Sequence, residues 1–78
     1  MLQHISVAQL RAARALLGWS QIELANAASL SRPSIERAER ASVSAETLAA
    51  IQRALEAAGV EFTNGGEPGV KLRKGKRK

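Results

Sequence analysis

Apolar positions in the first 58 residues recur with the period of an α-helix, and serines punctuate them four times. Leu10, Ala13 and Leu17 share one helical face and stop at Gly18. Ser6 stands three residues before Gln9, the spacing of a capping box, in which the serine accepts from a backbone N–H and the third residue's side chain reaches back. Ser20 and Glu23 repeat that spacing ahead of Leu24, Ala25 and Ala28. Ser31 opens a third helix, with Pro33 in the first turn, where its missing N–H costs nothing. Ile35 and Ala38 mark its buried side, and it fades near Arg40. Ser44 caps a fourth, alanine-rich helix in which Leu48, Ile51 and Leu55 form a stripe, with Gly59 as its left-handed end.

After Gly59 the period changes to two. Val60, Glu61, Phe62 and Thr63 alternate, residues 64–69 break the chain with Asn, Gly and Pro, and Val70, Lys71, Leu72 and Arg73 alternate again. This predicts a β-hairpin with a six-residue loop. Two strands are marginal alone in water, so they must cover helix four or pair with another chain. The expected fold class is mainly all-α, with a short C-terminal β-hairpin and a basic tail. The expected organisation is a helical domain over 1–58, a hairpin extension over 59–73 and a flexible tail over 74–78.

Composition narrows the function. The chain has 78 residues, no cysteine, no tyrosine and one histidine, and it also lacks aspartate. That leaves little for catalysis and no thiolate metal site, so the expectation is a protein that is not an enzyme and needs no metal or cofactor. His4 is read as a solvated side chain. Trp19 and Phe62 are the only aromatics, too few for a base-stacking platform, and Trp19 is read as a packing residue. No apolar run approaches the roughly 20 residues of a membrane span.

The formal charge of +5 suggests nucleic acid, but its distribution matters more. Residues 1–70 hold six arginines and seven glutamates, a net of −1, while residues 71–78 carry +6. A neutral domain with a basic tail needs a local pattern before base readout can be argued. The first 22 residues contain Arg11 and Arg14 but no acid, as mitochondrial presequences do. The capping signals run unbroken into the second helix, however, and losing this segment would strip a small core.

That local pattern lies between Gln21 and Arg40. Two short helices joined by a brief turn make a helix-turn-helix. Ala25 lies where the helices approach closely. Leu24, Ala28, Leu30, Ile35 and Ala38 fall on the faces that meet each other and the first helix, and Ser29 in the turn is expected to take a positive φ.

The run Trp19-Ser20-Gln21-x-Glu23-Leu24-Ala25, then Leu30-Ser31-Arg32 and Ile35-Glu36-Arg37-x-Glu39, resembles the lambda-repressor-like (Cro/XRE) DNA-binding family over roughly residues 7–58. Ser29 and Ala41 depart from it, standing where the family usually has glycine. The resemblance implies a four-to-five-helix lambda-repressor-like domain whose third helix enters the major groove. It assigns Arg32, Pro33, Ser34 and Arg37 to base edges. Ser20, Gln21, Ser31, Arg40 and Ser42 are assigned to phosphate, although the hydroxyls of Ser31 and Ser34 suit either. Arg14 and Glu39 match a pair tying helix one to the end of helix three. Without this register, Arg32 and Arg37 would read simply as solvated charges.

The implied function is a sequence-specific transcriptional regulator, a repressor that binds double-stranded DNA as a homodimer on a palindromic operator. Such a protein is expected in the cytoplasm of a bacterium or a phage host, on the nucleoid when bound. One alternative is an antitoxin that binds a partner toxin and represses its own operon. Another is a sequence-blind binder driven by the tail, with Arg73, Lys74, Lys76, Arg77 and Lys78 as an arm along the DNA. Val60, Phe62, Val70 and Leu72 are the candidate dimerisation positions. Ile22, an aliphatic residue among polar ones, has no assigned role.

Overall fold

A computed structural model of the chain describes residues 5–41, 43–63 and 69–73. Each predicted serine is an N-cap. Ser6 Oγ accepts from Gln9 N at 3.0 Å and Gln9 Oε1 accepts from Ser6 N at 2.9 Å, which closes the box that starts α1, Val7–Leu17. Ser20 and Glu23 close a second box, at 3.1 and 2.7 Å, ahead of α2, Gln21–Ala28. Ser31 caps α3, Arg32–Ala38, with Pro33 its second residue, and Ser44 caps α4, Ala45–Ala57. The described residues thus contain four helices, the lower end of the expected number.

The chain between helices turns where the backbone can go left-handed. Gly18 ends α1 at φ 69° and Gly59 follows α4 at φ 107°. Ser29 ends α2 at φ 59°, and it is the one non-glycine residue with positive φ among those described. A side chain there carries a steric cost that glycine would avoid. Ala41, the second departure from the family, keeps a negative φ, and its N–H instead closes back on the Arg37 carbonyl at 2.8 Å.

The hairpin pairs β1, Val60–Thr63, with β2, Gly69–Leu72, antiparallel, in the register Val60 with Leu72 and Phe62 with Val70. The second strand starts one residue earlier than the alternation predicts, because Gly69 pairs with Thr63. The register puts Val60, Phe62, Val70 and Leu72 on one face. Glu61 and Lys71 lie opposite each other on the other face, with their charged ends 3.9 Å apart. The apolar face packs on the helices: β1 meets α4 and β2 meets α1. The core is built from Leu10, Leu24, Ile35, Ile51, Leu55 and Val60, all fully enclosed. Burial of each such side chain contributes about 1.5–3 kcal/mol relative to exposure. Trp19 packs against this core from its edge, as its packing role required.

One buried polar side chain fastens the hairpin. Gln9 is 4% exposed, and its Nε2 donates to the Thr63 carbonyl at 3.2 Å and the Gly69 carbonyl at 3.0 Å. The amide nitrogen therefore reaches both residues of the last pair of the sheet, while the amide oxygen completes the α1 cap.

Candidate nucleic-acid interface

The recognition unit begins with a close helix crossing. Ala25 is buried where α2 meets α3, and the turn is fixed by Leu30 N donating to the Ala25 carbonyl at 2.8 Å. Leu24, Ile35 and Ala38 are buried and Ala28 and Leu30 partly so, which holds α3 by one face. The opposite face is free: Arg32, Pro33 and Arg37 are exposed and Ser34 is half-buried. The hydroxyls of Ser31 and Ser34 share a hydrogen bond at 3.0 Å at the start of the helix. Arg32 reaches Glu36 one turn on, at 3.4 Å. The side chains of Arg37 and Arg40 make no hydrogen bond or ion pair to any described residue, so both guanidiniums are available.

Behind this face lies the Arg14–Glu39 pair. Arg14 Nε donates to Glu39 Oε2 at 2.6 Å and Nη2 to Oε1 at 3.2 Å, while Nη1 donates to the Trp19 carbonyl at 2.9 Å. Gln21 Nε2 adds a third bond to Glu39 Oε1 at 3.0 Å. The Glu39 side chain is only 5% exposed, and a carboxylate so enclosed requires this many donors. One carboxylate at the end of α3 therefore fixes α1, the α1–α2 turn and the first residue of α2 together. Planar bidentate geometry sets their angle as well as their distance.

Gln21, assigned by resemblance to phosphate, has its amide nitrogen on Glu39. Ser20 remains exposed at the positive end of α2, where unpaired N–H groups favour an anion. Arg11, Arg14, Gln21, Glu36, Glu39 and Arg40 line an open groove between α1 and α3. Ser42, Lys74, Lys76, Arg77, Lys78 and His4 lie outside the described residues.

Arg73, expected in the arm, is bound to the end of α4. Its N–H donates to the Gly59 carbonyl at 2.7 Å and its Nη2 to the Glu56 carbonyl at 2.9 Å, so it caps the negative end of α4. Val60 is also corrected: it is fully buried in the core and offers no side-chain surface to a partner. Phe62 and Val70 are half-buried and Leu72 is 47% exposed.

Sequence reasoning missed the long reach of Gln9, the Gln21–Glu39 bond and the position of Glu36 beside Arg32. The last alone had a local signal, the four-residue spacing on one helix. Ile22, left without a role, is 56% exposed beside Gln21. No described group of histidine, aspartate or glutamate could hold a metal ion, and no described helix is long and apolar enough to cross a membrane.

Comparison with known proteins agrees with this geometry. The helix-turn-helix family model HTH_3 matches residues 10–62, from the buried face of α1 into β1. That family groups DNA-binding regulatory domains and is not an enzyme family. No curated protein matches the chain. A match that takes in most of α1 and all of α2, α3 and α4 shows that the chain belongs to the Cro/C1-type (XRE) helix-turn-helix family of DNA-binding regulators.

Proposed function

We propose that this protein represses transcription by occupying a pseudo-palindromic operator as a homodimer. The observation that carries this reading is the free face of α3. Arg37 is unpaired there, Arg40 stands unpaired just beyond the helix, and Arg32 is in its first turn, on a helix whose orientation Glu39 fixes from behind. In this reading Arg32 and Arg37 donate to guanine O6 and N7, and Pro33 gives apolar contact to a thymine methyl. Ser34 bonds a base edge, while Ser20, Gln21, Ser31, Arg40 and Ser42 hold the backbone on either side. Gln21 can keep its bond to Glu39 only if its oxygen or its second amide hydrogen faces the DNA.

A two-fold dimer is the partner that a palindromic operator calls for. The domain measures 31 by 30 by 19 Å. In this reading the two recognition helices stand ~34 Å apart, to meet half-sites one turn apart. Leu72, with the parts of Phe62 and Val70 that the helices leave uncovered, is the dimerisation surface in this reading. Residues 74–78 follow the backbone and add affinity without sequence preference. The protein acts in the cytoplasm, on the nucleoid.

A second reading, an antitoxin that also binds a partner toxin, draws on the exposed aliphatics. Leu16 is 42% and Ile22 56% exposed. Selection from a random duplex library at two salt concentrations tests the proposal. Enrichment of a palindrome is expected. No enrichment, with binding that collapses as salt rises, would leave the tail-driven binder.

A further inference from the structure

Glu36 is an acid on a helix surface that has to approach a polyanion. Its side chain is 43% exposed and accepts from Arg32 Nη2 at 3.4 Å. Duplex DNA carries one negative charge per about 1.7 Å of axis, so an exposed carboxylate here opposes docking unless it performs a task. Stability is not that task, because an exposed ion pair of this spacing contributes little to folding. The choice of partner is also informative. Glu36 and Arg40 have the order and spacing that favour a pair on a helix. Helix α3 ends at Ala38, however, and Arg40 makes no ion pair. The chain thus leaves Glu36 with Arg32.

We propose that Glu36 is a positioning residue for base readout, holding the Arg32 guanidinium with one donor edge presented to guanine. This rests on the reading that α3 docks in the major groove. A guanidinium has two pairs of parallel donors, Nε with Nη2 and Nη1 with Nη2. The Nη2 nitrogen contributes one hydrogen to each pair. Whichever hydrogen Glu36 accepts, one complete pair stays free for guanine O6 and N7.

The tether acts on specificity in two ways. It restricts the rotamers of a long side chain before DNA arrives, so less freedom is lost on binding the correct base. The carboxylate also repels phosphate, which discourages Arg32 from settling on the backbone and penalises sites with no guanine for it to read. Both effects widen the gap between the operator and other DNA.

Anisotropy titrations on the selected duplex, on each of its single base-pair variants and on a random duplex test this. The proteins compared are the wild-type chain, Glu36→Gln, Arg32→Ala and the double variant. Glu36→Gln should bind random duplex more tightly. It should also lose about three- to tenfold discrimination at the base pair whose readout Arg32→Ala abolishes. The double variant should lose no more there than Arg32→Ala alone. Undiminished discrimination at that pair in Glu36→Gln would overturn the proposal. So would a loss confined to another pair, which would make Glu36 a direct reader of cytosine N4. If the wild-type chain selects no sequence, the docking reading itself falls, and that is seen before any variant is made.

Discussion

Arg14 and Glu39, 25 residues apart, meet through two hydrogen bonds of 2.6 and 3.2 Å, so one ion pair joins the first helix to the end of the recognition helix. Removing one partner leaves the other enclosed without its match. Arg14 is 24% exposed, so water offsets part of that cost. Glu39→Ala should lower unfolding free energy by about 2–3 kcal/mol in urea titrations, below the range for fully buried pairs. The double replacement Arg14→Met with Glu39→Leu should recover most of the stability. It should still weaken operator binding, because the apolar pair packs without fixing an angle.

Gln9 gives a second, separable test. Gln9→Leu keeps the volume but leaves the Thr63 and Gly69 carbonyls without its two donors, at a cost of about 1–3 kcal/mol. Hydrogen exchange should quicken in β1 and β2 far more than in α2 and α3. Uniform acceleration across the domain would show that the hairpin opens only with global unfolding.

Two turn positions should respond with opposite sign. A Cβ at Gly18 would meet nothing within 4 Å, so Gly18→Ala is strained only through its φ of 69° and should cost about 1 kcal/mol. Ser29→Gly relieves the same conformation in the helix-turn-helix and should stabilise by about 0.5–1 kcal/mol. Thermal melts resolve both, since each kcal/mol moves the midpoint of a domain this size by about 4–8 °C.

Base readout and backbone attraction separate by salt. Arg37→Ala should reduce operator binding by about 1–3 kcal/mol and relax preference at one base pair. Deleting residues 74–78 should weaken operator and random duplex alike and flatten the salt slope by about 0.9 per lost phosphate contact. Equal losses on both duplexes for Arg37→Ala would remove it from the base-reading group.

What the sequence made legible was local. Ser6, Ser20, Ser31 and Ser44 announce their helices because a cap is a bargain between residues two or three apart. Alternation also grouped Val60, Phe62, Val70 and Leu72 on one face. It carried no information on how deeply each would sit, and Val60, grouped with the dimerisation candidates, is fully buried. Gln9 read as half of a capping box, because its other partners are separated from it by 54 and 60 residues. The Arg14–Glu39 pair was visible only through the family resemblance, since no local rule links residues on different helices. Gln21 showed its helix position and not its bond to Glu39 for the same reason.

The reach of Gln9 also sets a minimum length for the whole arrangement. Helices α2 and α3 are complete at Ala38, whereas the Gln9 amide has its second carbonyl only where the chain runs on to Gly69. A chain cut between these two residues contains the entire recognition helix and still lacks the contact that fastens α1 to the sheet.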